Sequence, residues 1–143
     1  MDTSAREHYT ALFAEITKDY GAVDETTFTG IIGFSAGGPV SMSRVGNGER
    51  YVTCELSLYA EQMESSEGLK FELLALVDLE QAECQRLLTA LAALSMSEAL
   101  GDLHTIDVSQ VVESVSSVQL RLQSQCEISG RGYGVYGVVR VGA

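Results

Sequence analysis

The chain predicts an α+β fold, a single mixed, mostly antiparallel sheet of about five to six strands packed with two main helices. Three observations lead there. Two segments, one near the N-terminus and one past the midpoint, repeat apolar residues at helical spacing. Short β-branched and aromatic runs, separated by glycine-rich turns, fill most of the rest. The strands come in runs with the helices set apart, which is the α+β order and not the alternation of βαβ units.

The first element is a helix over residues 4–20. Ser4 and Glu7 stand as a capping box, each side chain placed to bond the other's backbone N–H. Tyr9, Leu12, Phe13, Ile16 and Tyr20 form its apolar stripe, and Gly21 stops it. Residues 22–26 read as a linker and 28–34 as a strand. Gly37-Gly38-Pro39 can continue neither a helix nor a central strand. A second strand covers 40–45. Gly46-Asn47-Gly48 then signals a hairpin, because Asn and Gly tolerate positive φ.

The return strand covers 49–58. Val52, Cys54, Leu56 and Leu58 face one way, and Tyr51, Thr53, Glu55 and Ser57 the other. Residues 61–68 are an acidic loop. Residues 69–77 are apolar on both faces, which predicts a central strand covered on both sides. Asp78 to Gln81 resembles another capping box. Ala82, Leu87, Leu88, Leu91, Ala92 and Leu94 follow as the buried stripe of the second helix, which ends near Gly101. Residues 105–112 are a short strand or a turn, and 115–122 a long strand continuing towards 128. Gly130 and Gly132 turn the chain into a last strand over 134–141.

The 143 residues fit one domain, with the N-terminal helix followed by a sheet-and-helix body over about 28–142. Hydrophobic residues make up 45% and charged residues 20%, a globular composition. Cys54, Cys84 and Cys126 are odd in number and widely spaced, and each lies in an apolar stretch. They read as free thiols in a reducing compartment and not as a disulfide framework. Neither a signal-peptide pattern nor an apolar run of transmembrane length occurs, so a cytoplasmic location is expected. The net charge of −11 argues against nucleic acid and anionic membrane as partners, since both need a basic footprint. Residues 55–102 hold ten acids and two bases, whereas 103–143 hold three of each. Such a polarised acidic surface favours basic partners.

Gly33-Phe34-Ser35-Ala36-Gly37 matches a hydrolase nucleophile elbow, and Asp78 and His104 follow in triad order. The context fails. An elbow leads directly into a helix, and Gly38-Pro39 leads into a hairpin. Too few residues precede Ser35 to build the strands such a fold places first. The two histidines, His8 and His104, lie in separate elements, so no metal ligand set forms. Glu61, Glu64, Glu67 and Glu72 read mostly as solvated charges. Gly130, Gly132, Gly134 and Gly137 lack the Lys-Ser/Thr and helix of a phosphate loop. The expectation is a protein without catalytic residues, cofactor or metal.

Residues 50–61, the acidic loop, and residues 68–77 resemble the heart of Suppressor-of-fused-like domains. Thr53 and Ser57 match that family's Thr-x-Gly-x-Ser strand, with Glu55 in place of the glycine. Gly68, Phe71, Glu72 and Leu73 match its Gly-x-x-Phe-Glu-Leu strand. The resemblance implies a protein-binding module. Small bacterial relatives resemble immunity proteins, which bind and neutralise a cognate toxin. On that reading Tyr51 and Tyr59 are candidate anchors, and Glu55, Glu61, Glu64, Glu67 and Asp102 supply the charged contact surface. The alternative is a type III secretion chaperone-like protein that binds effector segments as a homodimer.

Overall fold

A computed structural model describes residues 10–21, 23–32, 40–46, 50–54, 56–58 and 62–141. The elements are α1 (Ala14–Tyr20), β1 (Val23–Ile32), β2 (Val40–Val45), β3 (Arg50–Cys54), β4 (Lys70–Ala75), α2 (Gln81–Ser95), β5 (Thr105–Asp107), β6 (Ser117–Ile128) and β7 (Arg131–Arg140). A short 3-10 turn, Leu56–Leu58, follows β3. The α+β class holds, with one mixed sheet in the order β1-β2-β3-β4-β7-β6-β5. Among the described residues it has seven strands, one more than the five to six expected at most, because residues 105–107 do form a strand at one edge. Every described pairing is antiparallel except β4 with β7, which run parallel.

The sheet separates two apolar cores. On one face Phe71, Leu73 and Ala75 of β4, with Tyr136 and Val138 of β7, pack under Cys84, Leu87, Leu88 and Leu91 of α2. On the other face Leu74 and Val135 pack with Val45 and Val52 against Leu12, Phe13 and Ile16. All six residues of β4 are buried, as its two apolar faces predicted. Within α2, Leu87, Leu88, Leu91 and Ala92 are buried as expected. Ala82 is exposed, and Cys84 takes the inward position one turn before Leu88.

Two strand boundaries differ from expectation. Residues 23–26, expected as part of a linker, belong to β1, which pairs with β2 from Val23↔Val45 onward through two register shifts. Among the described strands β1 stands at one end of the sheet. The strand expected over 49–58 stops at Cys54. Its last residues are drawn out of the ladder by hydrogen bonds to Glu72, described below. The hairpin turn at Asn47 and Gly48 lies outside the described residues, as do Ser4, Glu7, Tyr9 and His8.

Gly21 and Gly46 show why those turns carry glycine. Gly21 has φ +105 and Gly46 has φ +65. A Cβ on Gly46 would lie 2.3 Å from the Tyr20 carbonyl oxygen, and one on Gly21 would lie 2.8 Å from the Gly46 Cα. The end of α1 therefore docks backbone to backbone on the end of β2, a contact only glycine permits.

Candidate functional site

A buried polar cluster centres on Glu72. Flanked by Phe71 and Leu73 in a strand buried on both faces, its carboxylate has no route to solvent and is 0% exposed. Four donors converge on it. Thr53 Oγ1 donates to Oε1 at 2.7 Å, and the Leu56 amide reaches the same oxygen at 3.2 Å. Ser57 donates to Oε2 twice, from its amide at 2.7 Å and its hydroxyl at 2.6 Å. Thr53 Oγ1 in turn accepts the Leu73 amide at 2.9 Å, standing in for a backbone ladder bond. Burial pushes the Glu72 carboxyl up from 4.5 to about 7, against the downward pull of Ser57, Thr53 and Leu56. Reading Glu72 as a solvated charge was therefore wrong. Its apolar neighbours on a two-faced strand were the available signal. A carboxyl sealed this way cannot meet a substrate; it holds the turn after β3 onto β4.

A second network ties the acidic loop down. The Gln62 side chain bonds both backbone groups of Phe71, donating to its oxygen at 2.9 Å and accepting its amide at 3.1 Å. Lys70, 2% exposed, donates to the Gln62 carbonyl at 2.8 Å. The Tyr136 hydroxyl donates to Glu67 Oε1 at 2.5 Å and lies 2.7 Å from Ser65 Oγ. Burial, and then its bond to Glu67, raise the Tyr136 phenol above its ordinary range.

The same loop runs beside the segment after α2. Met63 donates its amide to Ser95, Ser66 donates to Leu100, and the Asp102 amide donates to Glu67 Oε1 at 2.9 Å. Asp102 Oδ1 accepts the Leu122 amide at 2.8 Å, capping the edge of β6 just past β5. Glu64, Glu67, Glu98 and Asp102 are exposed along these two segments, which contain no lysine or arginine. At their end stands Leu103, 58% exposed with φ +68. A left-handed leucine costs roughly 1–2 kcal/mol relative to a right-handed one.

The predicted contact residues divide accordingly. Glu67 and Asp102 are brought together, and Glu64 lies on the same loop. Tyr51 is corrected: at 3% exposure it packs into the α2-side core and offers no surface anchor. The face expected to point outward from β3 is covered by α2, because the sheet is clad on both sides. Glu55, Tyr59 and Glu61 lie outside the described residues, and so does Ser35. Asp78 and His104 are both exposed. Among the described residues no group of His, Cys, Asp and Glu is placed to hold a metal. Cys54, Cys84 and Cys126 form no disulfide, and Cys54 and Cys84 are buried.

An open polar groove of about 640 Å³ separates the first turn of α2 from the 109–114 loop. Its two serines give their hydroxyl protons to carboxylates, Ser109 to Asp107 and Ser114 to Glu83, each at 2.7 Å. It contains neither thiol nor imidazole. Among the described residues no helix is long and apolar enough to cross a membrane. The arrangement defines an α+β protein whose buried polar groups fasten one chain segment to another. No known family, curated protein or solved structure matches the chain.

Proposed function

We propose that the chain is a non-catalytic protein-binding module of the Suppressor-of-fused-like kind, acting in the cytoplasm as an immunity protein that neutralises a cognate toxin. One observation carries this reading. The residues of the resemblance meet in space: Thr53 and Ser57 both bond Glu72, between Phe71 and Leu73. Neighbours in a motif that also converge in the fold act as one unit, which supports the likeness. The exposed acids along 62–68 and 95–102 suit a basic surface, such as that of a toxin acting on nucleic acid or nucleotides.

The test is co-expression with the product encoded beside this chain. Growth should be rescued from that product's toxicity, and the two proteins should co-purify as a stoichiometric complex. Toxicity undiminished by this protein, with no complex by size-exclusion chromatography, would defeat the reading.

A further inference from the structure

We infer that Glu72 is a pH-operated fastener for the chain that leaves β3: protonated, it holds Leu56 and Ser57 against β4, and ionised, it lets that turn lift away while the sheet stays folded. The device works within this chain and needs no partner, so it is independent of the immunity reading.

The sheet can open at this place without coming apart. The described backbone ladder between β3 and β4 consists of Tyr51↔Ala75 and Val52↔Leu74. Beyond it the same flank of β4 is met by side chains: Thr53 Oγ1 takes the Leu73 amide, and Gln62 takes both backbone groups of Phe71. The opposite flank is paired with β7 along the whole strand, from Lys70↔Tyr133 to Ala75↔Val138. Lifting the turn therefore leaves β4 in the sheet. Leu56–Leu58 is a single 3-10 turn, a conformation with poor hydrogen-bond geometry of its own. Its Leu56 and Ser57 amides are bound instead to the carboxylate. The chain is anchored on either side, by β3 as far as Cys54 and by the Met63 amide on Ser95. Opening uncovers Leu56, whereas unfolding uncovers both cores.

No charge is among the causes that set the Glu72 carboxyl: burial raises it, and hydrogen bonds from Ser57, Thr53 and Leu56 lower it. The described titratable neighbours are few. Lys70 stands next but one on the same strand, its Nζ donating to the Gln62 carbonyl. Tyr133 lies opposite Lys70 on β7, and Cys54 is buried beside Thr53. The 3-10 turn adds no acid or base. Leu12, Phe13 and Ile16 pack on this face from the α1 side, while Glu15, Lys18 and Asp19 of α1 are exposed. A carboxyl sealed here must keep its proton or regain water. Lifting the turn that donates to it readmits water.

Amide hydrogen exchange of the full chain, followed residue by residue from about pH 6 to about pH 8, tests this. With the carboxyl at about 7 when covered and near 4.5 when open, the open fraction should rise roughly tenfold over that range. The Leu56 and Ser57 amides should lose protection by that factor, after correction for the ordinary acceleration with pH. Low urea separates the two routes of exposure, because local opening bares little surface and is insensitive to it, whereas unfolding is accelerated. Leu56 and Ser57 should exchange at rates that low urea leaves unchanged, and faster than the Leu76 amide, which is bonded to Val138 across the β4–β7 junction. Glu72→Gln, which cannot ionise, should show no such loss with pH. Constant protection of Leu56 and Ser57 in the parent overturns the device. So does exchange as slow and as urea-sensitive as that of Leu76, since the turn is then released only by unfolding. A glutamine variant that keeps the pH-dependent loss overturns it as well. If that variant does not fold, an NMR titration of the parent's Glu72 side-chain carboxyl replaces it, and ionisation near the ordinary 4.5 overturns the device.

Discussion

Burial and hydrogen bonding pull the Glu72 carboxyl in opposite directions, and burial wins, leaving it at about 7 against 4.5 in an ordinary setting. The unfolded chain ionises this group near 4.5 and the folded chain near 7. Its contribution to stability is therefore complete below the lower value and lost as pH climbs through the higher one. Across that window the loss amounts to about 3 kcal/mol. Urea denaturation followed from acid to mildly basic pH should show this decline, and Glu72→Gln should remove it. In acid the glutamine variant should be less stable than the parent by about 1–2 kcal/mol, because its amide group opposes a Ser57 donor. An unchanged pH slope in the variant would assign the decline to other groups. The burial of Glu72 was legible from Phe71 and Leu73 on either side, but its partners were not. Thr53, Leu56 and Ser57 lie 15 to 19 positions away, and nothing local indicates that β3 stops at Cys54 so that the residues after it can reach Glu72. Tyr51 misled for a related reason: alternation gives the face a side chain takes, and only the placement of α2 decides whether that face is open.

At the scale of elements, the seam between α1 and β2 and the turn before β4 offer a matched pair of glycines. Gly46 and Gly68 both hold positive φ, but a Cβ on Gly46 would strike the Tyr20 carbonyl, whereas one on Gly68 has nothing within 4 Å. Gly68→Ala should cost about 1 kcal/mol, the left-handed penalty alone. Gly46→Ala should cost at least about 2 kcal/mol more, since backbone must move, and the excess should appear as faster amide exchange along α1. Equal melting temperatures for the two variants would show that the seam yields easily. β2 and the end of α1 at Gly21 were legible because apolar period and glycine coincide there. The start of β1 was not: Asp24 and Glu25 read as linker, and only pairing with β2 makes them strand. In the candidate surface, Glu67 and Asp102 could be picked out as acids, but their hydrogen bond joins segments 35 residues apart, and the conformation of Leu103 leaves no trace in composition.

For the whole molecule, a net charge of −11 on 143 residues means that folding gathers like charges together. Raising NaCl from about 10 mM to about 300 mM should therefore raise the melting temperature by a few degrees at neutral pH, through screening. A fall over that range would mean that favourable ion pairs outweigh the repulsion. The same scale gives the single parallel junction its importance. Strands β1 to β4 follow one another as neighbours and can zip up as each is made, but β4 receives its second neighbour, β7, only after α2, β5 and β6 have been laid down. A ribosome making this protein thus holds out the buried ribbon Lys70–Ala75 with one naked flank until residues 131–140 emerge. That interval is when a nascent chain is most prone to adhere to its neighbours, and it makes the closing strand the latch on which a soluble product depends.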